Sequence, residues 1–230
     1  MGLPKPSETA CQLIEAALSS GASLAGLASA EDVEKSPSAK AWKGKPRKPL
    51  AGSILVLGLV HAADNPALDW WDGPSGGTPG NRQLIDISRR VSKWLRRTHG
   101  IASRELAYAP EQGGVFLKDA AALAGLGTIG KNNLLVTPQF GPRVRLRALL
   151  LEAELPPTAP LAYLPCDDCD TPCFRACPQE AFSAGAFRKN DCLNKMEADE
   201  SAGLMAAEEE GKLIVITYCR ECELACPIGN

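Results

Sequence analysis

Two histidines, His61 and His99, are all that this 230-residue sequence has, too few to build a metal site of their own. It also lacks a long hydrophobic run. The longest, Leu50 to Leu59 with its neighbours, is too short to span a membrane. The N-terminal M-G-L-P-K-P-S-E-T carries neither a twin-arginine pair nor a hydrophobic signal segment. The expectation is a cytoplasmic protein with no membrane association, in a compartment where thiols stay reduced. A strong charge of either sign is missing as well, since the net charge is −2. That balance hides a division. Residues 1–150 carry 19 basic against 12 acidic side chains, a net +7, and residues 151–230 carry 6 against 15, a net −9. The division suggests two domains, 1–160 and 161–230, joined through the proline-rich L-P-P-T-A-P of residues 155–160. A basic first domain can attract an anionic ligand or a nucleic acid; two domains that complement one another in charge account for the split equally well.

Cysteine is nearly absent from the first 165 residues, where Cys11 stands alone on the apolar face of a helix and reads as a buried core thiol. The other eight are crowded together. Residues 166–178 read C-D-D-C-D-T-P-C-F-R-A-C-P, residues 219–227 read C-R-E-C-E-L-A-C-P, and Cys192 lies between. Bacterial ferredoxins carry C-x2-C-x2-C-x3-C-P runs in which the fourth cysteine ligates the other cluster. The first run here is one residue longer in the middle. The second supplies three ligands of such a run, and Cys192 substitutes for the missing one. With the crossover, Cys166, Cys169, Cys173 and Cys226 would hold one 4Fe-4S cluster and Cys192, Cys219, Cys222 and Cys177 the other. Pro178 and Pro227 would turn the chain away after each crossing cysteine. Zinc is the first alternative, but structural zinc does not call for the Cys-Pro ending. Disulfides are the second, and they need an oxidising compartment.

Along the first domain, Ser7 is a candidate N-cap for a helix to about Ser20, ended by Gly21. Residues 22–28 read as a short strand, 35–49 as a solvated loop, and S-I-L-V-L-G-L-V-H (53–61) as a central strand buried on both faces. A glycine- and proline-rich loop follows, in which Trp70 and Trp71 either line a cofactor pocket or cap the core. Residues 82–98 form a basic amphipathic helix, read as a solvated face or a nucleic-acid surface. Arg104–Ala109 reads as a strand and 117–124 as a short helix. The stretch G-L-G-T-I-G-K-N-N matches G-x-G-x-x-G and nearly matches a P-loop. Both motifs need a strand before and a helix after, and here the order is reversed, which argues against NAD and ATP. What is left is a glycine-rich turn that lets backbone come close to something. Leu134–Val136 then pairs as a hairpin with a strand in which Arg143, Arg145 and Arg147 form a polar face.

The stretch A-G-L-G-T-I-G-K-N-N-L-L-V-T-P-Q-F-G-P-R-V-R-L, followed by E-L-P-P and the cysteine runs, resembles the epoxyqueuosine reductases and their relatives, the catalytic cores of corrinoid-dependent reductive dehalogenases. The resemblance implies an α+β protein. A nitroreductase-like α/β domain of cobalamin-processing type would be followed by a small ferredoxin-like domain with two clusters, the nearer of which passes electrons to cobalt. By position, Gly125, Gly127, Gly130, Lys131, Asn132 and Thr137 would border the corrinoid. Glu111 stands where those reductases have an acidic general acid, although A-P-E-Q-G-G-V does not keep their V-D-x-A-P motif. The segment after Cys192, L-N-K-M-E-A-D-E-S-A, also differs from theirs. The implied function is a cobalamin-dependent reductase, fed by a low-potential donor such as ferredoxin or flavodoxin, with tRNA as a possible substrate. The alternatives are a non-catalytic electron carrier or corrinoid reductase serving a partner corrinoid protein, and a flavin in place of the corrinoid.

Overall fold

The computed structural model describes residues 7–44, 49–61, 66–72, 77–183, 186–210 and 214–229. Residues 45–48 of the expected basic loop, and 62–65 and 73–76 of the glycine- and proline-rich loop, lie outside them. Two compact units emerge. The first comprises residues 1–59, 84–129 and 145–163; the second comprises 60–83, 130–144 and 164–230. The cysteine-rich segment thus shares its unit with two earlier stretches of chain.

In the first unit, helix α1 (Glu8–Ser19) begins where the Ser7 hydroxyl accepts the Ala10 N–H at 3.2 Å, satisfying one of the free amides of the first turn. Ala10, Leu13 and Ala17 recur at helical spacing and are buried. Cys11 is not on that stripe. It is exposed, because one step along a helix turns a side chain by about 100°. Strand β1 (Leu24–Ser29) pairs antiparallel with β2 (Ser53–Val60), from Leu24 opposite Gly58 to Ser29 opposite Ser53. Between them lie two short helices, α2 (Ala30–Glu34) and α3 (Pro37–Ala41), the second of them within residues 35–49, where the sequence suggested loop. Each is opened by a serine, Ser29 and Ser36, whose hydroxyl caps the first turn.

The main sheet has the order β1-β2-β6-β3, with β3 at Ser103–Glu105 and β6 at Val144–Leu151. The central position of β2 explains its unbroken apolar run: Ser53 to Leu59 are all buried. Helix α4 (Pro79–His99) lays Leu84, Ile87, Val91 and Leu95 against Leu13, Leu55, Leu57, Leu149 and Leu151 in one core. Helix α5 (Leu117–Leu123) packs on β1 and α2. After α5, β4 (Thr128–Ile129) and β5 (Leu135–Val136) form a separate two-stranded sheet. The expected hairpin partner of β5 is therefore corrected: β6 is taken up by the main sheet. Among the described residues no helix is long and apolar enough to cross a membrane.

The second unit contains α6 (Pro172–Arg175), the 22-residue α7 (Lys189–Glu210) and α8 (Glu221–Leu224). Its earlier stretches are tied in through backbone. Trp71 and Ile216 exchange N–H···O bonds of 2.9 and 2.8 Å, and the His61 N–H donates to the Arg143 carbonyl at 3.1 Å.

Candidate functional site

Two short helices built on one pattern position half of the clustered cysteines. Helix α6 carries Cys173 and releases the chain at Cys177-Pro178; α8 carries Cys222 and releases it at Cys226-Pro227. In each, the alanine before the second cysteine closes the last turn, Ala176 onto Pro172 and Ala225 onto Glu221, both at 3.0 Å. Proline has no N–H to continue the ladder, so each helix stops and its second cysteine points elsewhere. The two helices pack on one another.

The thiols fall into two sets of four. Burial pushes the Cys173 thiol above its ordinary range, and the neighbouring Cys226, Cys169 and Cys166 add to the push. Burial pushes Cys222 up to about 12, with Cys219, Cys192 and Cys177 its thiol neighbours. Burial likewise raises Cys226 and Cys219. The fold therefore gathers Cys166, Cys169, Cys173 and Cys226 in one place and Cys177, Cys192, Cys219 and Cys222 in another. None of the eight is in a disulfide. Among the described residues, no three of His, Cys, Asp and Glu converge on a single point as one metal ion would require.

Charged residues that the sequence did not single out surround the second set. On α7, Cys192, Lys195 and Asp199 stand at i, i+3 and i+7, which puts them on one face. Asp199 Oδ2 accepts the Cys219 N–H at 2.9 Å, and its other oxygen pairs with Lys195 Nζ. Lys195 in turn draws the Cys219 thiol down, against the larger effect of burial. That helical spacing from Cys192 was the available signal. Arg220, inside the C-R-E-C loop, meets Asp69 Oδ2 at 2.9 Å, Glu223 through Nε at 3.0 Å, and the His61 carbonyl at 3.1 Å. His61 Nδ1 is bonded to Asp69, while its Nε2 is buried with no hydrogen-bond partner among the described residues. The network staples the cysteine loop to the end of β2. Of these four residues only Arg220 and Glu223, at i and i+3, are linked by sequence spacing.

The turn after β4 serves both sets. Gly130 has no room for a side chain: a Cβ there would lie 2.7 Å from Val136 Cγ2 and 3.3 Å from Cys166 Sγ. Buried Asn132 closes the turn by accepting the Leu134 N–H at 3.2 Å and donates to the Cys222 carbonyl at 3.3 Å. Thr137 is wholly buried, and its hydroxyl is spent on the Gly141 carbonyl and the Phe140 N–H. Arg143, expected on the polar face of a strand, is buried and donates to the carbonyls of Cys226 and Ile228 at 3.4 and 2.6 Å.

The remaining expected site residues are divided between the two units. Gly125, in the first unit, ends α5 with a positive φ of 70°, and a Cβ there would meet the Ala159 carbonyl at 2.3 Å. Gly127 is buried, also in the first unit, and Lys131 is exposed in the second. Glu111 is exposed on the 3-10 turn Pro110–Gln112 of the first unit.

No family model matches the chain. An epoxyqueuosine reductase of Synechococcus sp. (strain RCC307) is 28% identical over 203 residues, covering 77% of this chain and 62% of its own length. The tetrachloroethene reductive dehalogenase of Sulfurospirillum multivorans is 35% identical over 121 residues, 48% of this chain and 23% of its own length. Among solved structures, the epoxyqueuosine reductase of Streptococcus thermophilus superposes with a TM-score of 0.65 at 20% identity, over 95% of this chain and 65% of its own. The chain thus spans less than two thirds of each of these relatives.

Proposed function

From a chain related by sequence and fold to the epoxyqueuosine reductases and reductive dehalogenases, we propose a redox protein that holds two 4Fe-4S clusters and delivers single electrons to a corrinoid. The carrying observation is the gathering of eight clustered cysteines into two sets of four neighbouring thiols. A cubane gives each thiolate its own iron atom, so four thiols around a shared space suit it better than a single ion. Cys166, Cys169, Cys173 and Cys226 would hold one cluster, and Cys177, Cys192, Cys219 and Cys222 the other. Bound there, such clusters supply one-electron transfer over a potential range that reaches about −700 mV. The residues around them exclude water, neutralise charge and fix the loops.

The chain offers less to the corrinoid. Gly125, Gly130 and Thr137 are committed to their own turns, which leaves exposed Lys131 as the side chain able to meet an anionic group. Acid catalysis by Glu111 would need the turn Pro110–Gln112 to close over a substrate. Its exposure favours the second reading, an electron carrier or corrinoid reductase serving a partner, with flavin as the third choice of cofactor.

Anaerobic reconstitution followed by iron analysis and EPR with added cob(II)alamin tests the proposal. About eight irons per chain are expected, as two four-iron clusters require, together with a change of the cobalt signal to a base-detached form. Eight irons with an unchanged free-cobalamin signal would replace the corrinoid reading with the carrier or flavin reading. A yellow chromophore released on denaturation would select flavin.

A further inference from the structure

Four arginines of the second unit each meet a carboxylate: Arg82 with Asp72, Arg175 with Asp170, Arg188 with Asp191, and Arg220 with Asp69 and Glu223. Arg143 does not. It is 4% exposed, and its partners among the described residues are two neutral carbonyls, those of Cys226 and Ile228. An arginine stays protonated at any pH a protein experiences. A buried charge with no counter-charge is costly, and proteins either pair such groups or do without them. The carbonyls satisfy hydrogen bonds and leave the charge. The thiolates of the first set are candidates to balance it, since Arg143 grips the backbone of Cys226 itself.

We propose that Arg143 is the buried counter-charge of the Cys166/Cys169/Cys173/Cys226 site, and that it makes the cluster held there the more easily reduced of the two. This rests on the cluster reading above. A four-iron, four-sulfide cluster on four thiolates is negative in both redox states and one charge more negative when reduced. A fixed positive charge beside it stabilises the reduced state more, which raises the potential. The second site has no such surplus. Lys195 is answered by Asp199, and Arg220 by both Asp69 and Glu223, so carboxylates outnumber these cations by one. Asp167, Asp168 and Asp170 beside the first site are exposed and screened by water and salt. The reaction is one-electron reduction by a chemical donor such as dithionite, with no bond made or broken.

The test is an EPR-monitored redox titration of the full chain with both sites loaded, as wild type, Arg143→Met and Arg143→Lys. In R143M one cluster should become roughly tenfold harder to reduce, about 59 mV for a one-electron couple, while the other stays put. R143K keeps the charge and should lie near wild type. R143M that takes up no iron, beside R143K that takes up all eight and titrates as wild type, would lead to the same conclusion. Loaded variants with unshifted potentials would overturn the inference and leave the cluster reading standing. So would equal shifts in R143M and R143K, or failure of both to load, since either result assigns the effect to the forked hydrogen bonds. Wild type that never binds eight irons would remove the reading and the inference together.

Discussion

The Cys222 thiol illustrates how much these sites depend on being filled. Burial raises it to about 12, so at neutral pH it holds its proton in the metal-free fold. Iron bound as proposed would have to displace that proton, which would tie loading to pH. The sign for stability follows. An unfolded thiol titrates near 8.5, so between about pH 8.5 and 12 the folded chain binds more protons than the unfolded one. Stability of the metal-free protein should therefore fall as pH rises through that window, by up to about 1.4 kcal/mol per pH unit from this thiol alone. Urea denaturation of metal-free protein at pH 8 and pH 10 measures it; equal midpoints would contradict the burial of Cys222. At this scale the eight clustered cysteines stand out in the sequence by their spacing alone. The sequence was misleading where a single turn of helix decides, as with exposed Cys11. Arg143 was hidden because alternation along a strand says which side chains share a face, not whether loop residues cover that face.

Elements with a strong apolar period were readable: α1, β2, α4 and α5 lie where their patterns place them. Helix α7 was not, because much of its surface is solvated and it carries no continuous apolar stripe. Its recognisable stripe is chemical, running through Cys192, Lys195 and Asp199. The pairing of β5 also escaped, since two residues of strand are too few to announce a partner. The turn between Thr137 and Gly141 holds the cysteine tail through a contact that no pattern reveals. Gly141 has a φ of 54°, and a Cβ there would lie 1.9 Å from the Ile228 carbonyl. Gly141→Ala therefore combines a left-handed backbone penalty with a direct clash, together about 3 kcal/mol. Iron loss from the Cys226 site and a lowered thermal midpoint are the expected results. An alanine variant with wild-type iron and melting would mean that the tail does not rest on this turn.

As a whole molecule, the chain forms two compact units, each assembled from stretches distant in sequence. The charge reverses near residue 150, yet the second unit reaches back to residues 60–83 and 130–144. Those stretches contribute His61, Asp69 and Trp71, and then Gly130, Asn132 and Arg143, which meet the cysteine-bearing loops or their flanks. A chain of residues 161–230 alone lacks all of them. It should retain well under half of the iron that the full chain keeps after gel filtration with a chelator. Full retention would show that the cysteine-rich segment is self-sufficient. Composition could not show this, because charge and cysteine content report which residues are near in sequence, whereas the unit is assembled by hydrogen bonds between distant ones.

The twinned helices α6 and α8 carry a last consequence. In the proposed two-cluster arrangement each would hand one sulfur to one centre and, a single turn later, another sulfur to the other. Ordering either helix would therefore bring one of the four sulfurs of the second centre into place before any iron reaches it. Empty and doubly filled molecules should predominate over singly filled ones, so that maturation of the two centres is cooperative and damage to one is felt by both.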